Sequence, residues 1–287
     1  MLVAFALVGA VDGAPTLPAY AIPNSEVRDV VAKSGRHYQL LIGLPADYAK
    51  HPEKKYPVVY VTDGYWDFQK LTAIEGSLVY DKEAPEYITV GLSYAGQDLN
   101  YGDLRRWELS PVAIGEDGPE KSGHAADFLK TIETEIIPLV EREYRADPAH
   151  RVLGGASLGG LFTLFAMYTR PEVFEGYVAV TPAVVLGNDW LLGYEEAFVK
   201  GGRAAALRGR RLFVSGGGDE WPAYVAGTRR YDALLRSAGR KGAYAGLAYQ
   251  FRIIDGERHA GMQLDSYVRG VMWVLAPLAA ERGQAKE

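Results

Sequence analysis

Six short apolar runs constrain this chain more than any other feature: "YPVVYVTDG", "EYITVGLSY", "HRVLGGAS", "GYVAVTPA", "RRLFVSGGG" and "YQFRIIDG". They are mostly continuous rather than alternating, so each reads as a strand covered on both faces, as a parallel sheet requires. Parallel strands need crossover connections long enough to hold a helix. The intervals supply them. "HAADFLKTIETEIIPLVEREY" places Phe128, Leu129, Ile132, Ile136, Leu139 and Val140 near a 3.6-residue period. "LGGLFTLFAMYTR", "PAYVAGTRRYDALLRSAG" and "MQLDSYVRGVMWVLAPLAA" fill later intervals. The predicted class is α/β: a three-layer α/β/α sandwich around a mostly parallel sheet. Upstream, "SEVRDVVAKSGRHYQLLIGLP" reads as a hairpin turning at Ser34-Gly35, which adds an antiparallel N-terminal edge.

The chain of 287 residues, 48% hydrophobic and 23% charged, shows no internal repeat, so one domain over residues 25–280 is expected, with a polar tail at 281–287. Residues 1–24 read as an apolar segment and linker. "MLVAFALVGAV" is too short to span a bilayer and lacks a basic start, which reads as a signal remnant. A periplasmic or secreted location is therefore expected ahead of a cytoplasmic one. A net charge of -5 excludes the basic footprint of a nucleic-acid binder. The absence of cysteine excludes disulfides, zinc–thiolate sites and a cysteine nucleophile. There is no His-Glu-x-x-His and the histidines are scattered, so neither a metal nor another cofactor is expected, and no membrane partner.

Within the third run lies Gly155-Ala156-Ser157-Leu158-Gly159. With 33 glycines in the chain, a Gly-x-Ser-x-Gly by itself carries little weight. Its setting carries more: strand before, helix after, as a nucleophile elbow needs. A strand turning straight into a helix holds its central residue at positive φ, and glycines two before and two after make room. A serine hydroxyl needs a base. In sheets of this kind the order is serine, acid, histidine, and of the five histidines only His259 lies downstream of Ser157. The acid is expected after the strand between them, where "RRLFVSGGGDEWP" ends in Asp219-Glu220. Adjacent side chains point apart, so one of the two faces His259. Glu220 is favoured and Asp219 is the alternative acid, with Asp255 and Glu257 as fallbacks. The oxyanion hole is expected from the backbone N–H of Leu158 and, from the loop after "VVYVTDG", that of Tyr65.

The succession "YPVVYVTDGYWDF", "RRWELSP", "GHAADFLKTIETEIIPLVEREY", "GGASLGG", "GGGDEWP" and "GERHAG" resembles the esterase branch of the α/β-hydrolase superfamily over residues 25 to 278. That branch includes siderophore esterases, relatives of feruloyl esterases, and esterase D-like S-formylglutathione hydrolases. The resemblance implies an α/β-hydrolase fold with Ser157 and His259 carrying the chemistry. It supports Glu220, since the family pattern ends in a glycine-rich turn and Glu, although some relatives manage with a Ser–His dyad. It also puts "YGDLRRWELSPV" near the substrate, where Arg105 or Arg106 would position an anionic or catecholate group; the alternative is an internal Arg–Glu108 pair. Tyr65, Trp66, Tyr94, Trp107, Trp190, Trp221 and Tyr224 are expected to gather at the carboxyl ends of the strands. Of these, Trp66 and Trp221 are the expected substrate-binding aromatics. The function expected is a serine carboxylic-ester hydrolase working through an acyl-enzyme on a small-molecule ester, of siderophore or aromatic-acyl type. The alternatives are acyl transfer at the same site and a binding module on a retired hydrolase fold.

Overall fold

Eight strands form one sheet: β1 (Ser25–Val31), β2 (His37–Gly43), β3 (Tyr56–Val61), β4 (Ile88–Tyr94), β5 (Ala146–Ala156), β6 (Gly176–Val180), β7 (Arg211–Gly217) and β8 (Ala248–Ile254). The computed structural model describes residues 20–115 and 118–284; the apolar start expected to be a signal remnant lies outside them. The spatial order is β1-β2-β4-β3-β5-β6-β7-β8. Strands β3 to β8 run parallel, while β1 pairs antiparallel with β2 and β2 with β4. Burial follows position in that order. Every residue of β3, β4 and β6 is buried, whereas β1 at one edge is exposed at all but one position. The continuous apolar runs of the sequence are thus the sheet centre, and the expected hairpin is its antiparallel margin.

One face is covered by α1 (Gly64–Tyr80) and α8 (Met262–Gln284). Their Leu71, Leu78, Val271 and Val274 pack on Val59, Val61 and Val178. The other face carries a larger core centred on α5 (Leu158–Thr169), buried from Leu158 to Tyr168. The periodic segment at 124–144 folds as α3 (Ala125–Thr131), a π-turn over Ile132–Ile136 and α4 (Ile137–Glu143). Pro138, at the start of α4, has no N–H to return to the preceding turn, and the helix widens there. The remaining helices are α2 (Tyr101–Leu109), α6 (Leu186–Lys200) and α7 (Pro222–Arg240). Sequence reading did not locate α1, α2 or α6. In α1 the spacing of Phe68, Leu71, Glu75 and Leu78, all buried, is helical, but only three of the four are apolar.

The site is set by how abruptly strands become helices. Two residues separate β3 from α1, and one, Ser157, separates β5 from α5. These turns and the loops after β7 and β8 meet at the carboxyl end of the sheet, where open α/β folds bind ligands.

Candidate active site

Ser157 has φ 58 and ψ -114, the strained conformation its strand–helix junction demands. Its amide donates to the Val180 carbonyl (2.9 Å), and its own carbonyl accepts from Leu161 and Ala183 (3.0 Å each). The flanking glycines are steric necessities. A Cβ on Gly155 would lie 2.4 Å from the Gly159 carbonyl oxygen, and one on Gly159 would lie 2.2 Å from Thr62 Oγ1. Leu158 opens α5, so its amide has no acceptor within the helix.

The adjacent acids part as expected. Asp219 is exposed and its amide donates to Glu257 O (2.9 Å), whereas the Glu220 side chain is 0% exposed. Glu220 Oε1 lies 3.6 Å from His259 Nδ1 and accepts from the Gly217 amide (3.2 Å). Its Oε2 accepts from Thr181 Oγ1 (2.7 Å), which itself lies 3.3 Å from His259 Nδ1. A hydroxyl has one proton. With that proton given to Glu220, Thr181 can only accept from the imidazole, so Nδ1 carries hydrogen and, in the neutral ring, Nε2 holds the lone pair. Burial alone would push the Glu220 carboxyl up. The hydrogen bonds from His259, Thr181 and the Gly217 amide outweigh it and hold the group below its ordinary range.

His259 is held from both sides. Trp221 lies 5.1 Å from its ring centroid, and Tyr224 meets it edge-on at 5.2 Å. Its carbonyl accepts from Gln263 Nε2 (3.1 Å), and Gln263 Oε1 accepts from Lys70 Nζ (2.7 Å). Lys70 pairs with buried Asp67, which also accepts from Tyr267. A polar chain therefore ties α1 to α8 beneath the histidine.

Ser157 and His259 line one cleft of about 180 Å³ with Trp66, Asp63, Arg105 and Gln263. Arg105 does not pair with Glu108. Its guanidinium forks onto Asp63, Nε to Oδ1 at 2.9 Å and Nη2 to Oδ2 at 2.7 Å, and lies 5.7 Å from the Trp66 ring. Glu108 instead accepts from Arg36 and Tyr38. Arg106 is 3.9 Å from Asp103, on a more exposed side of α2. Asp63 sits between β3 and α1 at φ 54, and its carbonyl accepts from the Trp66 (2.8 Å) and Asp67 (3.0 Å) amides. Tyr65 is the second residue of α1, so its amide has no partner within the helix. Gly64, before it, packs against β4 so closely that a Cβ would lie 2.6 Å from the Gly91 carbonyl carbon.

Of the expected aromatics, Trp66 (55% exposed) and Trp221 (62%) stand open beside the cleft. Tyr224 packs against His259, and the Tyr65 ring stacks on Tyr101 at 3.9 Å. Tyr94 is buried, Trp107 stacks on His124, and Trp190 stacks on Tyr194. None of those three lines the cleft that holds Ser157. Sequence reading missed Thr181, Asp63, Lys70 and Gln263. The first two follow strand ends in "AVTPA" and "YVTDG", which was the available signal; the others declare themselves only through contacts between α1 and α8.

The sheet order, the elbow and the histidine after the last strand define an α/β hydrolase. The family model described as "Putative esterase" matches residues 32–226, and the chain belongs to that family of esterases. It is 29% identical over 196 residues, 64% of its own length and 67% of the relative's, to the ferri-bacillibactin esterase BesA of Bacillus subtilis. It is 28% identical to the siderophore enterobactin esterase of Emericella nidulans, over 63% of this chain and 65% of that one. The aligned regions thus span about two thirds of these relatives. Among solved structures, the BES protein from Bacillus cereus superposes with TM-score 0.80 and 26% identity, covering 91% of this chain and 99% of that one. The siderophore hydrolase EstB from Aspergillus nidulans gives 0.71 and 22%, covering 91% and 98%, a likeness of fold.

Proposed function

We propose that the chain hydrolyses carboxylic esters through a Ser157–His259–Glu220 triad and an acyl-enzyme. The observation that carries this is Ser157 on a left-handed elbow, sharing a cleft with a histidine whose far nitrogen meets a buried acid. Ser157 Oγ attacks the ester carbonyl carbon as His259 Nε2 takes its proton. The tetrahedral oxyanion is held by the amides of Leu158 and Tyr65. Collapse breaks the bond to the leaving oxygen, which receives the proton from Nε2. Water then repeats the sequence and releases the acid. Glu220 and Thr181 hold the imidazole in the tautomer this needs.

The substrate is a bulky ester of siderophore or aromatic-acyl type. The cleft is smaller than an ordinary ligand pocket of roughly 300–1,000 Å³, so most of such a substrate lies outside it. Trp66 and Trp221 offer flat surfaces there. The names of the relatives point the same way. A fluorophosphonate probe is expected to label the protein once, and Ser157→Ala to abolish both labelling and turnover; a mutant that labels like the parent removes the proposal. A panel of short p-nitrophenyl esters, feruloyl esters, S-formylglutathione and a catecholate trilactone then fixes the class. A preference of 10²-fold, about 2.7 kcal/mol in the barrier, is decisive.

A further inference from the structure

The cleft holds a carboxylate where the proposed chemistry least wants one. Asp63 Oδ2 would lie 3.4 Å from a Cβ on Gly159, against the first turn of α5. The Asp63 side chain is 3% exposed, so solvent does little to screen its charge. The amides at a helix N-terminus favour negative charge. A bare carboxylate there would compete with the developing oxyanion for that field and repel it. Asp63 also occupies the left-handed backbone position from which α1 starts, two residues before the Tyr65 amide.

Arg105 answers both problems. Its forked contact satisfies both Asp63 oxygens, and the Arg105 side chain is itself only 19% exposed. A planar fork on a carboxylate fixes orientation as well as charge, which a lysine cannot do. We propose that Arg105 is a positioning residue: by clamping and neutralising Asp63, it holds the β3–α1 turn that presents the Tyr65 amide and keeps the oxyanion side free of net negative charge. This rests on the serine-hydrolase reading above. It differs from a direct role for Arg105 in binding an anionic substrate, because the Nε–Nη2 edge of the guanidinium is already engaged by Asp63.

The two roles separate by experiment. Kinetics of the parent, R105Q, R105K, D63N and the D63N/R105Q double variant are measured on a neutral and an anionic ester with the same leaving group. R105Q is expected to lose roughly 10²-fold in kcat, equally on both esters, with KM little changed, a loss of the size seen when an oxyanion donor is removed. R105K falls between, since it keeps the charge and loses the fork. D63N costs less than R105Q, because a cation beside the oxyanion is tolerated. The double variant recovers at least tenfold over R105Q, since no uncompensated carboxylate remains. Should R105Q fold too poorly to assay, the double variant, which buries no charge, still gives the comparison with the parent and with R105K. A loss confined to KM for the anionic ester, or a double variant no better than R105Q or, where R105Q cannot be assayed, roughly 10²-fold below the parent, overturns the proposal. An inert parent that the fluorophosphonate probe does not label would instead sink the hydrolase reading, so the two failures are distinguishable.

Discussion

Two of the buried carboxylates around Ser157, Asp63 at the end of β3 and Glu220 after β7, are managed in opposite ways. Asp63 is locked by a guanidinium that does not titrate. Glu220 is met by an imidazole, a hydroxyl and an amide, and of these only the imidazole gains a charge when it takes the serine proton. The first pairing keeps its side of the cleft electrically constant. The second leaves a carboxylate free to respond when His259 becomes cationic. A site that must hold one charge still and let another appear needs both devices.

The sharpest way to break this contrast is to neutralise the responsive acid. Glu220→Gln is expected to cost roughly 10²–10⁴-fold in kcat, as losing the tautomer-fixing acid does in triad enzymes, while Asp219→Asn stays within roughly threefold. Equal losses in the two variants would mean that Glu220 is not set apart as the geometry indicates. Stability gives an independent reading. The folded carboxyl of Glu220 sits below its ordinary range, so it contributes stability above that range and loses it as pH falls through the folded value. Urea midpoints of parent and E220Q should therefore differ at pH 7 and converge in acid.

A smaller effect tests the relay. Thr181→Val removes the hydroxyl between Glu220 and His259 and leaves shape nearly unchanged. Roughly a tenfold loss in kcat is expected, with fluorophosphonate labelling slowed in proportion, because the imidazole loses an orienting partner. Thr181→Ser should recover most of it. A valine variant at full speed would show that Glu220 reaches the histidine unaided.

How much of this could be read beforehand follows from the range of the forces. The elbow was legible because its constraint is local: strand, Gly-x-Ser-x-Gly and helix are consecutive, and sterics act over five residues. His259 was legible through chain order. Glu220 was favoured over Asp219, but the separation of the two depends on Gly217 and Gly218 packing against the loop after β8, a contact between distant segments. Arg105 was placed near the substrate with Glu108 as its alternative partner. Its actual partner, Asp63, lies 42 residues away, and no periodicity encodes such a pairing. Thr181 was hidden for the same reason. Its φ of 38 and its contacts arise from the crossing of β6 with the loops that carry Glu220 and His259.

Another buried carboxylate extends the contrast, because it has neither device. Glu75, on α1, is 8% exposed, and its Oε1 accepts from the Tyr87 amide at 3.4 Å; among the described residues no cation lies within ion-pair distance. Burial pushes its carboxyl up to about 8, against a slight pull from that amide and with Glu86 adding to the rise. A folded-state value above the unfolded one means stability is fully present below the ordinary carboxylate range and lost as pH rises through about 8. Glu75→Gln keeps the shape and removes the penalty. Its unfolding midpoint should match the parent near pH 4, exceed it increasingly up to about pH 8, and hold that gap above. The gain is bounded by the shift at roughly 5 kcal/mol, with kcat unchanged because Glu75 lies on a separate groove from the cleft. Parallel pH–stability curves for the two proteins would show that Glu75 is compensated like the other two acids. Asp63 and Glu220 alone would then differ in how their charge is met.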